Sequence, residues 1–446
     1  FQIISDRFCS YKIYFRFHKN ILYADLSLIN LLSVIKSVAS IHLNESAIFE
    51  FLYFRRLFGT KTFEQNIQLL DSASILLYEG SKNQLSIKKY WNPTFTKMVG
   101  NKDKQAHLLA DALSNSMDMY MSDNQNYGLF LSGGLDSRAL LAASKHKPLC
   151  FTTCPTNNNE AMVASEVSQV AGCENIFIPR PTGLINDHID TLINISSAEY
   201  SIANMQFFGY GEYIRKRANV LFLGIGLDVF FGGLYQPKNV MTILGKRSTY
   251  FRLYKIPSNI TGFFIDNIKY RTKSTDPYRL VKPEFLSLSK DWIFNGVEGA
   301  LSDVTDLTED PYDMWEFMHI HPLSRHYSFS MAESIRTFAE CRIPALENRL
   351  FDIFLSLPTR YKTNWQVYKK AIEILSPDLM EIRNANTNVR AADPLWIQSL
   401  KIWYRAFVNR MVGDQNLLRP RGSDRSWIST ADHILENSNL SHAIHA

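Results

Sequence analysis

Ser132-Gly133-Gly134-Leu135-Asp136-Ser137 is the segment of this chain whose residue types and spacing could most directly do chemistry. The apolar run Leu129-Phe130-Leu131 before it reads as a buried strand, and Ser137 to Lys147 reads as a helix. Two glycines at a strand-to-helix turn let the backbone bend sharply and approach a ligand, and successive N–H groups there form a cup for an anion. The helix start adds the positive end of its dipole. Such a cup fits a pyrophosphate group, and Asp136 at its rim is placed to hold a Mg²⁺ ion. No lysine follows the glycines, so this is not a phosphate loop of the Gly-Lys-Ser/Thr type.

A second strand end followed by glycines runs Phe222-Leu223-Gly224-Ile225-Gly226-Leu227-Asp228 and closes on Gly232-Gly233. Asp228 is expected at the same sheet edge as Asp136. Two carboxylates from different strand ends are what a phosphate-bound Mg²⁺ needs, because that ion takes oxygen ligands and keeps waters and substrate phosphates. Alone, Asp228 reads equally well as the cap of the turn after it; its pairing with the first loop makes it a site residue. The His319-x-His321 pair has no evident third ligand and reads as packing or surface.

These turns need a scaffold. From Asp103 onward the chain alternates a helix to Met121, strand Tyr127–Leu131, helix Ser137–Lys147, strand Leu149–Thr153 and helix Glu160–Ala171. A short strand Ile176–Ile178, helices to about Arg217 and strand Val220–Gly224 follow. This rhythm predicts an α/β fold with a doubly wound parallel sheet whose ligands sit at the carboxyl ends of the strands. After about residue 250 the pattern is mostly helical and rich in aromatics, and Tyr250–Tyr254 and Trp403–Phe407 read as core stripes. Before Trp91 it mixes a hairpin (Ile13–Phe17 with Ile21–Ala24), helices over Leu28–Val38 and Glu45–Leu57, and strands near Ile75–Tyr78 and Leu85–Ile87. Polar, turn-rich residues from Asn92 to Lys102 mark a domain boundary, with domains expected at 1–92 and 101–446.

Composition narrows the classes. With 446 residues, 46% apolar and 20% charged, the chain is globular and long enough for two domains. A net charge of +5 suits anionic small ligands as readily as nucleic acid. The basic clusters Arg215-Lys216-Arg217 and Arg419 to Arg425 read as solvated faces. Five scattered cysteines without a CxxC pair point to reduced thiols in the cytoplasm, with Cys150 and Cys154 as packing residues. No run approaches the ~18 apolar residues of a membrane span, so no membrane partner is expected. The first residue, Phe1, already lies in strand-like sequence, and the natural amino terminus is expected to be missing.

The first loop resembles the SGGxDS loop of the ATP pyrophosphatases, which cleave ATP between the α- and β-phosphates and make acyl-adenylates. SGGLDS at 132–137, GxGxDxxFGG at 224–233 and ECRIPALENRL at 340–350 occur in the order of the asparagine synthetase-like family. Ser5-Asp6-Arg7-Phe8, Lys61-Thr62-Phe63 and Lys88-Lys89-Tyr90-Trp91 resemble the end of that family's glutaminase domain, so residues 1–92 would be a partial glutaminase-like domain. The resemblance implies that Leu131, Ser132, Gly133, Gly134, Asp136, Ser137 and Gly226 bind ATP, and that Asp136 and Asp228 hold its Mg²⁺. It implies that Glu340 lines the acceptor pocket or assists proton transfer, with an ion pair to Arg342 or Arg336 as the plain alternative. Three departures stand out. The family's GEG glutamate is Ile225, its phosphate-side lysine falls near Ala385, and Cys9 sits at a glycine position and so is not a glutaminase nucleophile. Arg383 or Arg390 could replace the lysine, because the leaving pyrophosphate needs a fixed cation.

The resemblance implies an ATP-dependent amide-forming ligase that adenylates a small-molecule or peptide carboxylate and passes it to ammonia or an amine, with release of AMP. Two rivals remain open. One is a tRNA-modifying adenylator, which would want a strongly basic face that the chain lacks. The other is a non-catalytic nucleotide-binding or scaffold relative, favoured by the missing glutamate and lysine and opposed by both aspartates. Neither the acid, the amine nor the oligomeric state is legible in the sequence.

Overall fold

The computed structural model describes residues 1–180, 187–200, 202–268 and 276–412. The chain divides into two compact units, but not at a single cut. One comprises Phe1–Phe95, Ile189–Asn204 and Ile256–Glu333, and the other Thr96–His188, Met205–Lys255 and Ser334–Ala446. Two segments from the middle of the chain, expected in the second domain, therefore fold with the amino-terminal one. The Arg419–Arg425 cluster lies outside the described residues.

The first unit holds two small antiparallel sheets. Strands β1 (Gln2–Ile4), β2 (Tyr14–His18), β3 (Ile21–Asp25), β4 (Gln68–Leu69), β5 (Ser74–Glu79) and β6 (Gln84–Lys89) form the orders β1-β5-β6 and β3-β2-β4. The expected hairpin is β2–β3, in register Tyr14↔Asp25 to His18↔Ile21. Helices α1 (Leu28–Ile35) and α2 (Glu45–Phe54) follow, each with a side-chain N-cap, Ser27 and Asn44. Leu28, Leu31 and Ile35 pack on Tyr14, Ile67 and Leu69. Glu199, from the inserted segment, is buried between Lys12 Nζ at 2.6 Å and Arg325 at 2.9 Å and accepts from Tyr14 Oη at 2.8 Å. This network ties the insertions to the amino-terminal strands. His319 is buried against Trp315 and Phe264, and His321 stacks on Phe317, so the histidine pair is packing.

The second unit is α/β. Strands β7 (Tyr127–Phe130), β8 (Leu149–Cys154), β9 (Asn175–Pro179) and β10 (Val220–Phe222) join a later strand over Glu340–Arg342 in one parallel sheet. Helices α3 (Lys102–Tyr120), α4 (Asp136–Ala143) and α5 (Asn159–Ala171) occupy the places expected of them. The strand order, from one edge, is Glu340–Arg342, β10, β7, β8, β9. Successive strands move outward one way from β7 to β9, then return to the other side of β7 for β10. The order thus reverses beside β7, and the carboxyl ends of β7 and β10 flank the crevice where such sheets bind ligands. Helix α4 stops earlier than expected, at Ala143: Lys147 folds back and donates to the carbonyls of Leu141 and Ser144, with Pro148 just beyond. The hairpin β11 (Lys238–Ile243) and β12 (Lys246–Leu253) was not expected. Nor was the exposure of the late aromatics: Tyr404 and Phe407 are 67% and 52% exposed on the helix Leu395–Val412, so that segment is no core stripe. Among the described residues no helix is long and apolar enough to cross a membrane.

Candidate functional site

The turn after β7 and the turn after β10 abut. A Cβ on Gly224 would come within 2.9 Å of the Asp136 backbone carbon and 3.1 Å of the Ser137 nitrogen, so only glycine allows this approach. Gly226, at φ 93°, starts the short helix Leu227–Phe231 and puts Asp228 in its first turn. Asp136 likewise opens α4, whose N-cap Leu135 supplies no side-chain cap. The outcome is that the carboxyl groups of Asp136 and Asp228 meet in hydrogen-bonding contact, which needs a proton between them. Burial and then the Asp228 charge hold Asp136 well above the usual carboxylate range, and burial raises Asp228 too. Tyr368, on the helix Gln366–Leu375, donates its hydroxyl to Asp136 Oδ1 at 2.8 Å. Nothing in the sequence pattern pointed to Tyr368; it arrives from more than two hundred positions away.

Two acidic side chains pressed together around one proton suit a hard divalent cation, which would take the proton's place and offset both charges. No group of three or more His, Cys, Asp or Glu side chains suited to a metal occurs among the described residues.

The Ser-Gly-Gly loop is held in shape by its own side chains. Ser132 N–H donates to Ser137 Oγ at 3.0 Å, the two serine hydroxyls lie 3.0 Å apart, and Gly134 N–H donates to Ser132 Oγ at 3.2 Å. Gly133 N–H is taken by Glu160 Oε1 at 2.7 Å. The carboxyl group of Glu160 is raised by burial, against the pull of that N–H and of Arg138. An anion therefore competes with the Ser132 hydroxyl, which also contacts Ser137 Oγ, for the N–H of Gly134. Gly134 is also the open position: a Cβ there would meet only Ser132 Oγ, at 3.3 Å. Beside the loop, Leu131, Phe151, Thr152, Arg180 and Phe207 line a narrow cavity, with Phe130 and Phe207 stacked 3.8 Å apart.

Arg138 is the second residue whose role was not legible. It is fully buried and donates to the carbonyls of Leu379 (2.9 Å), Ile382 (3.0 Å) and Arg383 (2.9 Å). These bonds clamp the short paired strands Arg383–Asn384 and Val389–Arg390 onto the loop. Ala385 N–H donates to Gly133 O at 3.1 Å, and a Cβ on Gly133 would lie 2.4 Å from the Ala385 methyl. The segment of the expected lysine is thus on the loop, with a methyl group in the lysine's place. Neither replacement arginine points there. Arg383 is paired with Glu166 at 2.7 Å, and Arg390 with Glu381 at 2.8 Å and Asp393 at 3.0 Å. The charge of Lys238 on β11 acts on Asp228, lowering its pKa against burial.

Glu340 is not brought to this site. It is the first residue of its strand, in register with Val220 at the amino-terminal edge of the sheet, and is exposed and paired with Arg342 at 2.6 Å. Asp136 and Asp228 follow the opposite, carboxyl ends of their strands. The ion pair with Arg342 is the reading of Glu340 that the geometry supports. Arg342-Ile343-Pro344 is a strand end entering a 3₁₀ turn. In the first unit, Cys9 adopts φ 51° at its glycine position and is buried, which pushes its thiol up to about 12. That is the reverse of what a nucleophilic thiol needs.

Comparisons with known proteins agree with the loop order. The family model for asparagine synthase matches residues 108–378, more than half of the chain. Asparagine synthetase [glutamine-hydrolyzing] 1 of Bacillus subtilis (strain 168) is 20% identical over 369 residues, covering 76% of this chain and 58% of that protein. The chain thus spans under two thirds of the relative's length. An NH3-dependent NAD synthetase from Campylobacter jejuni, solved with a nitrate ion, is 14% identical at a TM-score of 0.21, covering 44% of this chain and 95% of that one. On the family match, which takes in both glycine turns and both aspartates, this chain belongs to the asparagine synthase family.

Proposed function

We propose that the chain is an ATP-dependent ligase that adenylates a carboxylate and transfers it to ammonia or another amine. The observation that carries this reading is the Asp136–Asp228 pair at the point where the sheet's strand order reverses, below the Ser-Gly-Gly turn. Mg²⁺, when bound, would supply charge neutralisation for the pyrophosphate. Asp136 and Asp228 would hold it, and Tyr368 would keep Asp136 oriented. The N–H of Gly134 and the hydroxyls of Ser132 and Ser137 would bind phosphate oxygens. Leu131 and the cavity beside it would take the nucleoside side. Catalysis would rest mostly on alignment of the attacking carboxylate with the α-phosphorus and on fixed positive charge. Lys238 is our candidate for that charge, in place of the lysine that Ala385 lacks. Residues 1–92 would correspond to a partial glutaminase-like domain in which Cys9, buried with its thiol raised, would not be the nucleophile, and ammonia or another amine would be the acceptor.

The methyl group of Ala385 on the loop favours one second reading, nucleotide binding without adenylation. Exchange of labelled pyrophosphate into ATP, screened over a panel of carboxylic acids, separates the two. Acid-dependent exchange that disappears in Asp136→Ala and Asp228→Ala supports the ligase. Mg-ATP binding with no exchange for any acid supports the second reading.

A further inference from the structure

The second unit has a cavity of ≈ 350 Å³ that the nucleotide reading does not use. Its walls are Trp365, Trp396 and Tyr250, and its rim carries Lys102, Lys369 and Lys370 against one carboxylate, Glu373. The volume falls in the range of small-molecule sites, and such sites are mostly apolar with a few placed polar groups. Trp396 is 53% exposed and Tyr250 42% exposed, so both lining rings keep aromatic surface open to solvent. Lys369 is partly buried and donates to the Asp393 carbonyl, which fixes its ammonium at the wall instead of leaving it in solvent. Lys370 is paired with Glu373 at 3.0 Å. Positive charge is thus in excess, held next to flat apolar faces.

We infer that this cavity binds an aromatic carboxylate, its ring between the tryptophans and its carboxylate on Lys369 and Lys102. Aromatic faces supply sequence-independent stacking area, and ammonium groups with few competing carboxylates supply the charge selectivity. Three features bear on pH. Burial pushes Lys369 down to about 8, against the pull of Asp393 and Glu373. Asp393 itself is engaged by Lys401 and Arg390. Lys102 and Lys370 complete the charged groups around the cavity. The carboxylate therefore binds best below pH 8 and is weakened as Lys369 loses its charge above that value.

The test is calorimetric titration of the full chain, without ATP, with naphthalene-1-acetate and with its neutral twin naphthalene-1-acetamide. This inference stands apart from the ligase reading, because no nucleotide takes part. The acid is expected to bind saturably and at least about tenfold more tightly than the amide at pH 7, a gap that narrows by pH 9. Lys369→Met should cut the acid's preference over the amide severalfold, and Lys369→Arg should restore it. Lys102→Gln, at an exposed helix start, should lower acid affinity alone, and Trp396→Ala should weaken both ligands. No saturable binding, equal affinity for acid and amide, or an unchanged preference in both lysine variants would overturn it.

Discussion

Substituting alanine for Gly133 isolates what holds the loop. The new methyl would stand 2.4 Å from the Ala385 methyl and 3.2 Å from two carbons of Val163. Ordinary carbon–carbon contact is about 3.5–4.0 Å, so Ala385 must retreat by more than an ångström. Its backbone cannot do so freely, because Ala385 N–H is bonded to Gly133 O and Arg138 clamps Ile382 and Arg383. Overpacking of this kind costs about 1–3 kcal/mol, and a strained or lost backbone hydrogen bond adds roughly 0.5–1.5 kcal/mol. For a unit of this size a kcal/mol shifts the midpoint by about 2–4 °C. The melting transition of Gly133→Ala should therefore fall by roughly 3–18 °C. Differential scanning calorimetry measures it, and two further variants sharpen it. Ala385→Gly in the same chain removes the opposing methyl and should recover most of the loss, a non-additive pair as expected for touching residues. Gly134→Ala meets only a rotatable hydroxyl and should melt within about 2 °C of wild type, yet block the phosphate cup and abolish Mg-ATP stabilisation. A Gly133→Ala protein as stable as wild type, or a double variant no better than the single one, would refute the packing argument.

Four other outcomes follow from the same geometry. Carboxyl groups raised in the folded state bind more protons there than when unfolded, so without Mg²⁺ stability should fall as pH rises through the raised values of Asp136 and Asp228; melting from pH 5 to 8 should show this slope, flattened in Asp228→Asn. Tyr368→Phe removes a hydrogen bond to a charged group, worth roughly 1.5–3 kcal/mol, so the Mg²⁺ concentration needed for half-maximal ATP stabilisation should rise about tenfold or more. Arg138→Met removes the guanidinium donor from the carbonyls of Leu379, Ile382 and Arg383 and should cost about 1–3 kcal/mol, read as a lower melting point together with faster proteolysis between residues 379 and 391. Glu199→Gln strands the buried Lys12 and Arg325 and should destabilise the first unit by about 3–5 kcal/mol, measured by urea unfolding.

Much of the second unit was legible because its signals are local. Strand ends followed by glycine at 131–134 and 222–226 mark sharp turns, and a β-α-β rhythm puts both at one sheet edge, which is why Asp136 and Asp228 were expected side by side. Helix α3 and strands β7 to β9 fall within a residue or two of their expected bounds for the same reason. Long-range contacts were not legible. Tyr368, Glu160 and Arg138 have ordinary sequence surroundings, and their roles come from partners brought together by the fold. Glu340 illustrates the converse: a motif position carried a role that its strand register, at the amino-terminal edge opposite Val220, does not support. The units divided unexpectedly because helical periodicity in 256–333 shows which face is apolar but not which core will cover it. Exposed Tyr404 and Phe407 were misjudged for that reason too, since aromatic density does not distinguish a core from a surface.

The most direct measurement is the affinity of Mg-ATP by isothermal titration calorimetry for the full chain, Asp136→Asn and Asp228→Asn. The account predicts saturable binding to wild type that depends on Mg²⁺, releases a proton as the cation displaces the one shared by the two carboxyl groups, and weakens at least about tenfold in each variant. Equal affinity in all three proteins, or binding indifferent to Mg²⁺, would contradict the assignment of the two aspartates to the nucleotide site.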